Sequence, residues 1–416
     1  MNNFRKSINY FQLFSAVFFT ASLIFWEPMQ RPAIALFFGS YLIEIFTDQK
    51  WKNIQFNKKS IQYAAMFFFF ALPFIYHPFE KTSNFFYISI ERRVPLFAFA
   101  LIGMLGINKL FKLSYFLNTF IIMSLLAICY LAFFRVGLNA LIHNPQRIDL
   151  FNESRIQWVD SHMIFNFYLN ISLISIWYIL SRRWKSLSLW IRASYIGAMS
   201  IIFSVLSISD GRSGFLMSII LMFSFLIFEI WKRKKKIGVI LAILVPFMVI
   251  GLASHKQRFD KNYVEQEPRL FLWHGAFEVI KSNPVLGHGI SDAQNMYSAE
   301  RAIYETKEYR ENWKSVALLD AHNQYLQSIM EFGIIGLCTV LFLFLFPIYA
   351  VDEKRRIMTV FIIATGMFQS LFDVFMTSTF SDLYGWLMIL MLFMYNDYNS
   401  QPKNNETGIN AEVIQR

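Results

Sequence analysis

Two arginines and a histidine stand out against long apolar runs. Arg212 lies in the turn SDGRSG (209–214), Arg269 near the head of PRLFLWHGAFEVIKSNPVLGHGISDA (268–293), and His322 near the head of DAHNQYLQSIMEFGIIGL (320–337). A guanidinium is always charged and grips phosphate oxygens at two points, whereas a neutral imidazole takes a proton from a hydroxyl near physiological pH. Together they have the chemistry to hold a diphosphate and deprotonate an acceptor. Asp320 is close enough in sequence to orient His322 or to act as base itself, and His162, His274 and His288 are further candidates. Plainer readings stand beside these: an arginine snorkelling to headgroups, an interfacial helix with no catalytic part, a hydrogen-bonded structural histidine. Gly211 and Gly214 favour close approach of backbone to a ligand, and Ser213, opening a helix, offers N–H groups to an anion.

The sequence has no HExxH, no DxD-type pair in an outer loop and no Cys/His cluster. Guanidinium groups rather than a metal ion are therefore expected to neutralise phosphate, and no cofactor is expected. Cys129 and Cys338 each fall inside an apolar run without metal-ligand spacing and read as packed thiols.

The elements that must position these residues follow from composition. Of 416 residues, 56% are hydrophobic and 16% charged, with mean hydropathy +0.40, which a water-soluble domain could not sustain without large exposed apolar patches. Apolar runs of roughly 17–22 residues fit helices crossing about 30 Å of hydrocarbon. They lack the alternation of a membrane barrel. The reading is an all-α integral membrane protein of about twelve spans, at 9–26, 31–47, 61–77, 94–107, 116–135, 161–180, 189–208, 214–231, 237–253, 333–350, 357–375 and 380–396. In the fourth, Glu91, Arg92 and Arg93 leave two starts open: Phe85, with those charges buried, or Val94, with them at the interface. The first run ends FWEPMQRP, which lacks a small-residue cleavage site and reads as an uncleaved span.

The net charge of +11 is spread in short clusters between apolar runs, so it reads as topology and not as a nucleic-acid surface. With both termini cytoplasmic, every inner connection is basic, from Arg5 and Lys6 through Lys58 and Lys59, Arg182 and Arg183, and the KRKKK of 232–236, to Lys354, Arg355 and Arg356. The turn 209–214, the connection 136–160 and the island 254–332 then face out, which in a bacterium with two membranes is the periplasm. The chain divides into spans 1–9 (1–253), an outer loop with short helices (254–332), spans 10–12 (333–396) and a polar, disordered cytoplasmic tail (397–416). Within the island, Arg269, Trp273, Ala276, Phe277 and Ile280 share one face of an expected surface helix ended by Asn283-Pro284, Gly287 and Gly289.

The stretches SDGRSGFL, RLFLWHGAFEVIKSNPVLGHGISD and AHNQYLQSIMEFGIIGL, in this order and followed by a span, resemble the O-antigen ligase and polymerase superfamily. The resemblance covers about 205–340, and the N-terminal half agrees in hydropathy alone. It implies a membrane glycosyltransferase of GT-C type at the periplasmic face of the inner membrane, with a polysaccharide on undecaprenyl diphosphate as donor and, in the ligase branch of lipopolysaccharide biosynthesis, a sugar hydroxyl of lipid A-core as acceptor. Carried onto matching positions, Arg212 and Arg269 would bind the diphosphate and His322 would activate the acceptor hydroxyl in a direct, inverting, metal-independent displacement. Arg92 or Arg93 would add a contact near the donor.

Four rivals remain at this stage: a polymerase, a family member that glycosylates proteins, a transporter and a non-catalytic membrane scaffold. A polymerase of the same superfamily would join one lipid-linked glycan to another, and shared motifs do not separate it from a ligase. A transporter for a lipid-linked anion would place ionisable residues at mid-membrane, where the candidates are Glu44 in the second span and Asp373 in the eleventh.

Overall fold

A computed structural model describes residues 2–25, 27–48, 57–76, 78, 84–106, 110–137, 162–209, 212–254, 268–304, 320–376, 380–392 and 394. The tail expected to be disordered, most of the 136–160 connection and the segment 305–319 lie outside these residues. Among the described residues every regular element is helical. The long helices are α1 (Asn2–Phe25), α2 (Glu27–Asp48), α3 (Lys58–Tyr76), α4 (Asn84–Leu105), α5 (Leu113–Tyr130), α6 (His162–Arg183), α7 (Leu189–Ile208), α8 (Arg212–Arg233) and α9 (Lys235–Ser254). Then come α10 (Pro268–Ser282), α11 (Ile290–Tyr304), α12 (Gln324–Ala350), α13 (Glu353–Gln369) and α14 (Phe380–Leu392).

Seven of these helices are long and apolar enough to cross a membrane. Most expose large apolar side chains, as Phe14, Trp190 and Leu345 do, which is where lipid would take the place of a protein core. Helix α6 differs, since 94% of its most apolar stretch is buried. It packs on α5, α7, α8 and α13, and is the post around which that half of the bundle stands. On the other side α4 packs on α3, α11 and α14, and α12 packs on α3. Trp386 of α14 is fully buried between Phe37 and Phe116 at ring distances of 5.2 and 5.3 Å, and donates its indole N–H to Thr20 at 3.0 Å. A large ring with one satisfied polar atom thus ties α1, α2 and α5 to α14.

The stretch read as the fourth span is a helix beginning at Asn84, which is not among those seven. One turn of it divides the charges: Glu91 and Arg92 are exposed while Arg93 is fully buried. In the stretch read as the eleventh span the helix is shorter than hydropathy implies. Helix α13 ends at Gln369 and the chain turns through 370–376, so Asp373 sits in a turn and not in a mid-membrane helix. Glu44 is buried on α2 and accepts from Gln12 Nε2 at 2.7 Å. The expectation of packed thiols is corrected: Cys129 on α5 and Cys338 on α12 are both free and exposed, on helix faces where an apolar thiol needs no protein around it. The buried residues of α10 are Leu272, Ala276 and Val279, of which only Ala276 belongs to the face read from the sequence, and Phe277 is 51% exposed.

Two expected motifs turn out to lock one another. Helix α12 breaks at Phe332 and Gly333, the latter at φ 60°. The turn 283–289 docks its backbone onto that break: His288 N donates to Met330 O at 3.0 Å, Gly289 N to Glu331 O at 2.8 Å, and Ile334 N to Pro284 O at 3.1 Å. A Cβ on Gly333 would lie 2.1 Å from Val285 O, and one on Gly287 would lie 2.5 Å from Gly333 N. Both glycines are needed for contact and for their left-handed backbone. The lock fixes α10 and α11 against the head of α12.

Candidate functional site

The candidate site lies at the head of α12. Asn323 caps the helix, its side-chain oxygen accepting from Tyr325 N at 3.0 Å and Leu326 N at 3.1 Å. His322 therefore stands just before the helix and does not open it. Its φ is 42°, the only positive value at a non-glycine residue among those described. Asp320 Oδ1 accepts from His322 N at 2.9 Å, which folds 320–322 back on itself and compensates for the left-handed backbone.

The 370–376 turn is laced to the same place. Gln324 N donates to Ser370 O at 2.9 Å and to Asp373 O at 3.1 Å, Asn323 Nδ2 donates to Leu371 O at 3.2 Å, and Tyr325 OH donates to Met367 O at 3.0 Å. These bonds bring Asp373 to His322. The imidazole Nδ1 lies 3.6 Å from Asp320 Oδ1 and 3.7 Å from Asp373 Oδ1. Both distances exceed a hydrogen bond, and the buried Nδ1 has no hydrogen-bond partner. The ring is thus flanked by two carboxylates without being locked to either.

Burial alone would lower the His322 pKa, but its contact with Asp373 and the charges on Asp320 and Asp373 outweigh burial, with Arg269 opposing, and the net shift is upward from the ordinary value. Asp320 is also raised, first by burial and then by Asp373, against the lowering pull of His322 and Arg92.

Arg269, in the first turn of α10, is half-buried. Its guanidinium reaches Met163 Sδ at 3.4 Å and stacks over the Phe372 ring at 5.8 Å, beside Asp373 in sequence. Arg212 opens α8, and His162 opens α6; the side chains of both lie outside the described residues. The backbone nevertheless places these helix starts together. Asn166, on the first turn of α6 after Met163, has its side chain 2.5 Å from where a Cβ on Gly214 would sit, and it accepts from Ser209 Oγ at 3.2 Å. Asn170 Nδ2 donates to Gly214 O at 3.0 Å. The same end of α6 thus holds the Arg212 turn on one side and Arg269 on the other. Gly214 serves this helix contact, a plainer use than the ligand approach its sequence context implied.

The remaining candidates separate. His274 is 54% exposed and 4.0 Å from Glu278. His288 Nε2 bonds Ser282 Oγ at 2.9 Å and Val279 O at 3.2 Å, which holds the turn after α10. Arg93 faces inward: it pairs with Glu331 at 2.5 Å, bonds Ser89, and lies over the Phe69 and Phe332 rings at 5.4 and 5.5 Å. Glu331 Oε1 also accepts from Gln327 Nε2 at 2.8 Å, and Gln327 Oε1 accepts from Ala321 N at 3.3 Å. Arg93 thus supports the backbone next to His322 from below, while exposed Arg92 looks into a cavity that Asp320 also lines. Among the described residues no group of three or more His, Cys, Asp and Glu is arranged to hold a metal ion.

Sequence reasoning missed Asp373 as a partner of His322, and missed Gln327 and Glu331. Asp373 was visible as an acid in an apolar run, but the run SLFDVF carries no Gly or Pro to mark the end of the helix.

Comparison with known proteins adds a family. Residues 197–341 match the family model described as O-Antigen ligase. That stretch runs from α7 into α12 and includes Arg212, Arg269 and His322, whereas Arg92, Arg93, His162 and Asp373 lie outside it. The chain is 30% identical over 149 residues to "Putative polysaccharide ligase RP358" of Rickettsia prowazekii (strain Madrid E), covering 34% of this chain and 36% of that protein. It is 32% identical over 149 residues to "Putative polysaccharide ligase" of Rickettsia felis (strain ATCC VR-1525 / URRWXCal2), covering 33% of this chain and 35% of the relative. The matched region is about a third of each relative's length.

Proposed function

We propose, from the premise that the matches support an O-antigen ligase-family protein, that this chain transfers a polysaccharide from undecaprenyl diphosphate to a sugar hydroxyl of lipid A-core. The reaction takes place at the periplasmic face of the bacterial inner membrane, on a GT-C scaffold of twelve spans with both termini cytoplasmic. The observation that carries the reading is the setting of His322, with Nδ1 between Asp320 and Asp373 and the Arg269 guanidinium alongside.

The chemistry follows from that setting. With Nδ1 turned to the carboxylates, Nε2 is the atom that takes the proton from the acceptor hydroxyl. The oxygen attacks the anomeric carbon from the face opposite the diphosphate, the carbon–oxygen bond to the diphosphate breaks, and the departing undecaprenyl diphosphate takes the electron pair. The anomeric centre inverts. Arg269 stabilises the growing phosphate charge, and Arg212 joins it because the α8 start converges on the same end of α6. Asp373 and Asp320 flank the ring and stabilise the imidazolium that forms, a positioning role.

The two acids that kept a transporter in play have other occupations, since Glu44 bonds Gln12 and Asp373 faces His322. The test is product identity. Purified protein given undecaprenyl-diphosphate-linked glycan and lipid A-core is expected to put glycan on lipid A-core. A longer lipid-linked glycan would make the chain a polymerase, and no transfer to either acceptor would overturn the reading.

A further inference from the structure

Next to His322, between α4, α11 and α12, lies a small polar cavity that the proposed donor chemistry does not use. Its polar lining is Ser89, Arg92, Gln294, Asp320, Gln327 and Glu331. Most of these groups are already committed: Ser89 to Arg93, Gln327 to Glu331 and Ala321, and Glu331 to Arg93. Gln294 is not. The residue is 7% exposed, it lines the cavity, and its amide makes no hydrogen bond among the described residues. An amide at the cavity wall with no partner in the protein has its N–H and C=O groups open to one from outside.

Size and charge limit what that partner is. The cavity holds about 70 Å³, room for a few waters or for one hydroxyl-bearing edge of a sugar ring, and too little for a diphosphate with its lipid. Asp320 and Glu331 line it and offset Arg92, with Glu331 already paired to Arg93, so the lining has no excess positive charge to hold an anion and suits a neutral polyol. Arg269, the cation assigned to the donor, is held by a different set of elements, α6 and the 370–376 turn. Asp320 belongs to both the cavity and the His322 setting, so a sugar edge seated there has its neighbouring hydroxyl beside the imidazole.

We propose that the cavity between α4, α11 and α12 is the subsite for the acceptor sugar, in which the Gln294 amide and Arg92 bind hydroxyls of a neutral saccharide and present the reacting one to His322. The proposal rests on the glycosyl-transfer reading and deepens it. It also moves Arg92 from the donor side, where the sequence placed it, to the acceptor side.

The test is direct binding to the purified full-length chain in detergent, with lipid A-core and undecaprenyl diphosphate as separate probes. The variants are Gln294→Leu, close in volume, and Arg92→Gln, at an exposed position where folding is not at stake. Each is expected to weaken lipid A-core binding about tenfold and to leave undecaprenyl diphosphate binding unchanged. Equal lipid A-core binding by wild type and both variants would overturn the subsite while leaving the donor reading intact, as would a wild type that binds the diphosphate but no lipid A-core. Lipid A-core binding that depends on Gln294 and Arg92 in a protein that does not bind the diphosphate would keep the subsite and remove the donor reading. Loss of both ligands in both variants would show a structural role and overturn the proposal.

Discussion

Arg93 and Glu331 meet at 2.5 Å with side chains 0% and 5% exposed, whereas His322 stands 3.6 and 3.7 Å from Asp320 and Asp373 and keeps 22% of its side chain open. Both clusters border the same head of α12. In the first, the charges are packed between two aromatic rings and share further bonds with Ser89 and Gln327, which leaves only the buried Nε of Arg93 without a partner. In the second, the ring is close to two acids, bonded to neither, and held on a left-handed backbone. The difference teaches how to tell supporting ions from reacting ones in an apolar protein. Short distance and burial mark the support; a part-open ring near two unbonded acids is the setting proposed for the chemistry.

The largest expected effect falls on the supporting pair. Glu331→Ala leaves a buried guanidinium without its acid and is expected to cost on the order of 3–5 kcal/mol, read as a fall in thermal midpoint and in folded yield. If the variant melted like wild type, the pair would not be a structural support. Asp373→Asn should show the opposite pattern, with an unchanged melting midpoint and transfer reduced on the order of 100-fold. It should also shift the pH profile. The carboxylates favour the protonated ring, so the acid limb of kcat/KM for wild type should lie above the ordinary imidazole value of 6.5. Removing one carboxylate charge lowers the ring's pKa, so Asp373→Asn should move that limb to lower pH. A limb that stays in place would detach Asp373 from His322. Arg269→Lys keeps the charge and loses the planar fork, and should weaken transfer on the order of tenfold. Full activity of that variant would remove Arg269 from phosphate binding.

Much of this was legible in the sequence because lipid and helix geometry constrain it. Apolar runs marked most of the helices, and the three polar stretches carrying Arg212, Arg269 and His322 come from elements that converge. What was not legible depends on side-chain direction and on backbone breaks inside apolar sequence. Hydropathy cannot say which of Arg92 and Arg93 turns inward, since adjacent residues on a helix point about 100° apart and either rotation suits the flanking run. Nor does it see a helix ending at Gln369, where Phe and Leu continue into the turn and carry Asp373 back to His322. Gly287 and Gly333 were visible as punctuation, but their meeting across the 283–289 turn is a tertiary fact. The cysteines were misjudged for the same reason, because an apolar helix in a bilayer need not bury its apolar side chains in protein.

The most direct test of the central claim, that His322 is the base of a glycosyl transfer, is single-turnover transfer from undecaprenyl-diphosphate-linked glycan to lipid A-core in the presence of EDTA. Wild type would be compared with His322→Ala, alongside the melting midpoint and undecaprenyl diphosphate binding of each. The account predicts glycan on lipid A-core for wild type and a loss of roughly 10²–10⁴-fold for the variant, with folding and donor binding retained. A His322→Ala protein that transfers at the wild-type rate would contradict it.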